Sequence, residues 1–226
     1  MRSNLKNHQK NKKHIFFCLF YANNPNNNGK GHDMATLHFH YGVMSSSKSA
    51  RLIINAYNYN QNGVKTQVIK PSFDTRFSSD AVKSRIGIET PALAIPNLKD
   101  FTPAPGTRVL LVDEVQFFSP ADIDKLVRIA DDMNIPVMCY GLMSDSNEQM
   151  FPASKRLIEV GAELHLHESN CQINGCMELA THHLRFDKDG HVIRAGDQFA
   201  LGDSNYKSVC RGHFNMLYHG IGQKTK

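Results

Sequence analysis

The chain has 226 residues, 41% of them apolar, enough to bury one full core with a small satellite but too few for a large multidomain protein. Its formal net charge of +5 resides in the first 33 residues: six of the 26 basic and one of the 21 acidic residues fall there, leaving 20 of each in 34–226. A neutral remainder argues against binding to a nucleic-acid backbone, and no apolar run reaches the roughly 18 to 20 residues a membrane helix requires, the longest being Ile15 to Ala22.

Residues 1–33 carry that short apolar run behind a basic stretch, the outline of a weak signal peptide. An Asn-rich segment, Asn23 to Asn28, follows it without a clear small-residue cleavage site, so a disordered basic extension is expected, and Met34 offers an alternative start. From Thr36 onward, β-rich runs alternate with helical stretches, which implies an α/β fold with a mostly parallel sheet flanked by helices. The expected strands are Leu37 to Tyr41, Val64 to Lys70, Arg108 to Asp113, Ile135 to Tyr140 and Ala162 to His167. Helices are expected over Ser49 to Asn62, over Ala121 to Met133 after the Ser119-Pro120 cap, and over Lys155 to Val160. The proline-rich stretch Pro71 to Thr107 is too long for a plain loop and should carry small elements or a function of its own. After Glu168 the pattern shortens, and Asp189-Gly190 between Leu184-Arg185-Phe186 and His191-Val192-Ile193 reads as a β-hairpin in a small β-rich unit. The expected division is therefore 1–33 as extension, 34–167 as the α/β domain, 168–218 as the small domain and 219–226 as a tail.

Directly after the first strand stands Gly42-Val43-Met44-Ser45-Ser46-Ser47-Lys48-Ser49, opening a helix. This follows the phosphate-binding pattern G-x-x-x-x-G-K-S/T except at Ser47, where glycine is usual. In such a loop, backbone N–H groups and the helix N-terminus face phosphate, the lysine reaches the β/γ oxygens, and the last hydroxyl ligates Mg²⁺. A serine forced into a left-handed conformation would cost about 1–2 kcal/mol. The buried run Val109 to Val112 ends in Asp113-Glu114 and continues Val115-Gln116. Asp113 occupies the position that holds Mg²⁺ beside a triphosphate, and Glu114 that of a carboxylate able to accept a proton from an attacking hydroxyl.

Cys171 and Cys176, then Cys210 and His213, form two close pairs of soft or borderline ligands, the set that structural zinc takes. Five cysteines make no even disulfide framework and fit a reducing cytoplasm. His38, His40, His165, His167, His182 and His183 fall in or near strands without helical metal spacing, so most are expected to be partly exposed strand residues of no special role.

Several ordered segments carry a resemblance: Tyr41-Gly42-Val43-Met44, Lys70-Pro71 with Asp74-Thr75-Arg76, and Ser84-Arg85-Ile86-Gly87, followed by Val112-Asp113-Glu114 with Gln116-Phe117, Cys139-Tyr140-Gly141-Leu142 and Tyr206 to Arg211. Over Met34 to Phe214 the chain resembles the type II thymidine kinases of many bacteria and animal cytosol. The resemblance implies a P-loop, RecA-like fold and transfer of the ATP γ-phosphoryl group to the thymidine 5′-hydroxyl. Glu114 would act as general base, residues 42–49 would bind the triphosphate, and Asp74 and Arg76 would lie near Mg²⁺ and phosphate. Met44, Phe117, Leu142 and Phe151 would border the base. Asp197, Gln198, Phe199, Ala200, Leu201 and Gly202 would hold it through backbone groups, with Tyr206 beside them. Zinc would anchor the base-holding loop, and the family is commonly tetrameric. Met143, Ser146, His183 and Asp203 depart from the family pattern around the base. A kinase of altered nucleoside specificity, an impaired homologue and a zinc-ribbon nucleic-acid binder remain as other readings.

Overall fold

The computed structural model describes residues 35–72, 80–194 and 205–221. Its main sheet is built from β1 (Leu37–Tyr41), β2 (Thr66–Pro71), β5 (Leu93–Ile95), β6 (Val109–Val112), β7 (Val137–Gly141) and β8 (Glu163–Leu166). The spatial order is β5-β2-β6-β7-β1-β8, and all five pairings are parallel. The strand that leads into the phosphate-type loop, β1, is thus separated from β6, which leads to Asp113, by β7.

Central strands of a parallel sheet are covered on both faces, so they read as continuous apolar runs. In β6, Leu110 and Val112 enter one core with Phe39, Val137 and Cys139, while Val109 and Leu111 enter another with Met138 and Tyr140. Helix α1 (Lys48–Gln61) covers the second core with Leu52, Ile53 and Ala56. Helices α2 (Pro120–Met133) and α3 (Pro152–Glu159) cover the first with Ile123, Leu126, Ile129, Ala153 and Leu157. Burying each fully enclosed leucine contributes about 1.5–3 kcal/mol.

The expected cap of α2 is a full capping box. The Ser119 hydroxyl oxygen accepts from the Asp122 amide at 3.2 Å, and Asp122 Oδ2 accepts from the Ser119 amide at 2.9 Å. Asp122 Oδ1 also accepts from the Leu98 amide at 2.6 Å, pinning the long 71–107 stretch to the helix. That stretch carries elements of its own: strand β5 at the sheet edge, and β3 (Ala81–Lys83) paired antiparallel with β4 (Glu89–Pro91).

Beyond the main sheet, β9 (His182–Phe186) pairs antiparallel with β10 (Asn205–Val209), which leads into a short helix, α4 (Arg211–Phe214). Leu184, Val209, Phe214, Cys171 and Cys210 form a separate small core there. The expected hairpin turn is present, with Gly190 at φ +84° and Asp187 Oδ1 accepting from the amides of Asp189 and His191. Its return limb pairs antiparallel with the end of β9 through the Phe186–Val192 bridge, the Ile193 amide donating to the Arg185 carbonyl at 2.8 Å and the Asp187 amide to the His191 carbonyl at 2.9 Å, while the longer ladder of β9 is with β10, 19 or more residues away in sequence. No helix among the described residues is long and apolar enough to cross a membrane.

Candidate active site

Parallel strands bring the carboxyl ends of β1, β6 and β7 to one edge of the sheet, where open α/β sheets bind ligands. A cleft of about 400 Å³ opens there, bordered by residues 44–50, Glu114, Leu142, Gln172 and, from the β3–β4 connection, Arg85.

The loop after β1 owes its shape to backbone geometry. Ser45 and Ser47 both sit in the left-handed region, at φ 62° and 61°. The amide of Ser46 donates to the Val43 carbonyl at 3.3 Å, and Ser47 starts α1 with its carbonyl accepting from Arg51 at 2.9 Å. No side chain caps α1 and no acid stands in its first turn, so its leading N–H groups face the loop as an anion site requires. Lys48 folds over the loop, its Nζ donating to the carbonyls of Val43 and Gly42 at 2.7 and 3.2 Å. Gly42 has to be glycine, because a Cβ there would collide with the His167 carbonyl and the Ser46 side chain.

Ser49 and Asp113, 64 positions apart, meet: the Ser49 hydroxyl lies 3.2 and 3.4 Å from the two carboxylate oxygens of Asp113. Between them and Lys70 and Glu114 lies a recess of about 20 Å³, room for one water-sized occupant. Burial, and then the neighbouring Glu114 charge, push the Asp113 carboxyl up from its ordinary range. A carboxylate held out of water beside a hydroxyl favours a compensating cation, and the hard oxygen donors suit Mg²⁺.

Glu114 also takes a left-handed conformation, φ 48°. A non-glycine residue held there costs energy and points to a functional constraint. Its Oε2 accepts from Gln116 Nε2 at 2.6 Å, and Gln116 Oε1 accepts from the Leu142 amide at 3.0 Å. Gln116, buried, thus braces Glu114 against the end of β7, and Gly141 is needed there because a Cβ would strike the Gln116 and Val115 side chains.

Of the expected base-binding residues, Met44 and Leu142 border the cleft, while Phe117 and Phe151 pack edge-on against each other at 6.0 Å and do not line it. Ser146 is buried in a turn organised by Asp145, whose Oδ1 accepts from the amides of Asn147 and Gln149. Tyr206 lies edge-on to His183, whose imidazole is buried. Burial, with the charges of Lys48 and His182, lowers the pKa of His183 to about 4. Asp74, Arg76, Asp197 to Gly202 and Asp203 lie outside the described residues.

Cys171, Cys176, Cys210 and His213 converge as the spacing suggested, their ligand atoms all within 4.8 Å of one another. His213 Nδ1 lies 3.5 Å from Cys171 Sγ and 3.2 Å from Cys210 Sγ, and Cys176 Sγ lies 3.9 Å from Cys210 Sγ. Tetrahedral zinc with ordinary Zn–S and Zn–N lengths separates neighbouring ligand atoms by roughly 3.5–3.8 Å, so the four residues fit that ion.

Three site residues had no role in the sequence reading. Arg85 Nη1 donates to Ser45 Oγ at 2.6 Å, setting a guanidinium over the loop. Ser208 Oγ donates to the Met44 carbonyl at 2.5 Å, and Gln172 Oε1 accepts from the Ser208 amide at 2.7 Å. These contacts tie the Cys/His knot to the phosphate-type loop. Arg85 and Ser208 stand inside segments that carry the resemblance, Ser84 to Gly87 and Tyr206 to Arg211, but with no role assigned, and Gln172 was signalled only by its neighbour Cys171.

The sequence profile of the family described as thymidine kinase matches residues 35–214. The chain belongs to the thymidine kinase family. The thymidine kinase of Zymomonas mobilis is 36% identical over 189 residues, 80% of this chain and 96% of that protein. That of Enterobacteria phage T4 is 36% identical over 196 residues, 84% and 100% respectively, and that of Shewanella oneidensis 37% identical over 189 residues, 80% and 97%. Membership makes the chain a nucleotide-binding phosphotransferase, and residues 44–50 of the loop and helix start border one cleft with Glu114.

Of the six strand histidines, His40, His165, His167 and His182 are partly exposed, as expected. His38 and His183 are buried, and parallel pairing of β1 with β8 brings His38, His40, His165 and His167 together on one face of the sheet. Helical spacing was the wrong test for them, since alternation along two paired strands aligns side chains just as well.

Proposed function

We propose that this kinase transfers the γ-phosphoryl group of ATP to the 5′-hydroxyl of thymidine, giving thymidine monophosphate. The observation that carries the reading is the Ser49–Asp113 contact with Glu114 beside it, at the mouth of a glycine- and serine-built loop. Backbone N–H groups of Gly42 to Ser49 and the Lys48 ammonium bind and orient the triphosphate. Ser49 and Asp113 would hold Mg²⁺, which supplies charge neutralisation at the phosphates when bound; Asp74 and Arg76 are assigned to the same end. Val115 completes the segment that joins Asp113 and Glu114 to Gln116. Glu114 accepts the 5′-hydroxyl proton as that oxygen bonds to the γ-phosphorus and the bond from phosphorus to the β–γ bridging oxygen breaks, the electron pair leaving with ADP. Gln116 keeps the carboxylate aimed.

Met44 and Leu142 with Phe117 and Phe151 would border the thymine, and Asp197 to Gly202 with Tyr206 would hold its polar edge. Zinc on Cys171, Cys176, Cys210 and His213 would fix the small domain, 168–218, against the nucleotide domain, 34–167, with tails at 1–33 and 219–226. A tetrameric assembly and a reducing, cytoplasmic setting accompany this reading.

A second reading, altered nucleoside specificity, is favoured by Ser146 and His183, both buried, which depart from the family pattern around the base. Steady-state phosphorylation of thymidine, deoxyuridine and deoxycytidine with ATP and Mg²⁺ tests both. Thymidine should give the highest kcat/KM. Preference for deoxycytidine would establish the second reading, and no turnover of any nucleoside would overturn the first.

A further inference from the structure

β1 and β8 pair in register with His38 opposite Glu163 and His40 opposite His165. His38 Nδ1 lies 3.0 Å from His165 Nε2 and 3.4 Å from Glu163 Oε2, and His165 Nε2 lies 3.6 Å from Glu163 Oε1. One ligand atom from each of the three residues falls within 4.8 Å of the others. First-row metal ions with N and O ligands near 2.0–2.2 Å separate neighbouring ligand atoms by roughly 3.0–3.5 Å, close to these spacings.

The second ring nitrogens matter as much. His38 Nε2 lies 2.6 Å from the Thr36 hydroxyl, which can take its N–H and leave Nδ1 with a lone pair facing His165 and Glu163. The His165 ring is held by His40, stacked on it with centroids 4.5 Å apart, and His40 is itself stacked on Tyr140 at 4.5 Å. Two imidazoles and a carboxylate converge at a strand edge that is partly open to solvent, since Glu163 is exposed and His165 about one third exposed. The geometry points to a second metal site, His38–Glu163–His165, selective for a borderline divalent ion such as zinc and separate from the Cys/His knot. Imidazole with carboxylate suits zinc and its first-row neighbours, and three protein ligands leave a position for water. Such an ion would staple the edge strand β8 to β1, the strand that ends in the phosphate-type loop.

The test is a zinc titration of the full-length protein in excess Mg²⁺, which occupies hard oxygen sites, read by calorimetry and by thermal midpoint. Wild type should bind one more equivalent of zinc than the double variant E163Q/H165A, and zinc should raise the midpoint of wild type more. Both substituted side chains reach solvent on an edge strand, and far-UV circular dichroism checks that the variant folds. A parallel cobalt titration should give visible d–d bands in wild type that are weaker by one equivalent in the variant. Equal stoichiometry in the two proteins overturns the proposal, and would leave the cluster as a set of hydrogen-bonded side chains. Thymidine phosphorylation plays no part in the readout, so this outcome is independent of the catalytic reading.

Discussion

On the phosphate side of the cleft, shape comes from the main chain: left-handed residues at 45, 47 and 114, a helix N-terminus, and glycines at 42 and 141 where a Cβ would collide. On the other side, shape comes from side chains gathered around a point, with Cys171, Cys176, Cys210 and His213 beneath a core of a few residues, Leu184, Val209 and Phe214. The first is continuous with a six-stranded sheet whose core residues are almost fully enclosed, whereas the second has a two-stranded ladder, too little on its own for independent stability. The two halves should therefore fail separately. Damage to the knot should cost order and substrate handling, and damage to the loop should cost chemistry.

The largest effect is expected at the knot. Structural zinc contributes about 10–16 kcal/mol of apparent binding free energy in small domains, which appears there as folding free energy. Cys176→Ser should therefore lose its zinc and the protection of β9 and β10 in hydrogen exchange, while β1, β6 and β7 keep theirs. Uniform loss of protection across both sheets would show that the halves are one cooperative unit. Next comes the base. Glu114→Gln should lower kcat by about 10² to 10⁴ with ATP affinity nearly unchanged and the thermal midpoint intact. A kcat within a few-fold of wild type would remove Glu114 from the proton transfer.

The two halves also differ in how much of them the residues announce. Val109 to Val112 declares a buried parallel strand, the 42–49 spacing declares the loop, and Ser119-Pro120 declares the cap, because each rests on neighbours in sequence. The Cys/His set was legible for a different reason, since its ligand types have few other uses at that spacing. What escaped notice depends on partners far along the chain. The Ser208–Met44 bond spans 164 positions and the His38–His165 contact 127, and both follow from strand order and register, which local pattern does not encode. Ser45 and Glu114 were likewise not marked as left-handed, since in neither case does residue type favour that conformation.

A smaller effect distinguishes the halves by pH. His183 pairs across from Ser208 in the small ladder, and burial lowers its pKa to about 4. Below the unfolded value near 6.5, the unfolded chain binds a proton that the native state refuses, so stability present above pH 6.5 is lost as pH falls toward 4. The loss amounts to about 3 kcal/mol at the lower end. Midpoints measured from pH 7 to pH 4 should fall more steeply for wild type than for His183→Gln. Acid release of metal acts on both proteins, so the difference between the two curves isolates His183, and parallel curves would show that its burial carries no linkage.

The smallest effect concerns Ser47, where the loop pattern normally has glycine. Its left-handed backbone costs an L-residue about 1–2 kcal/mol, and that could weaken either ATP binding or the fold. The hydrogen bonds decide between them. The Ser47 carbonyl accepts from Arg51 at 2.9 Å as the first bond of α1, so the conformation belongs to the start of the helix and its cost is met on folding. The Ser47 side chain makes no capping bond in return, unlike Ser45, whose hydroxyl accepts from Arg85. Ser47→Gly should therefore raise stability by about 0.5–1 kcal/mol, net of the extra freedom glycine gives the unfolded chain, and leave the KM for ATP within about twofold. Ser45→Gly, which relieves similar strain but releases the Arg85 guanidinium from the loop, should instead raise that KM. A tenfold fall in KM for Ser47→Gly, worth about 1.4 kcal/mol, would place the strain in the binding step and make the serine a brake on ATP affinity.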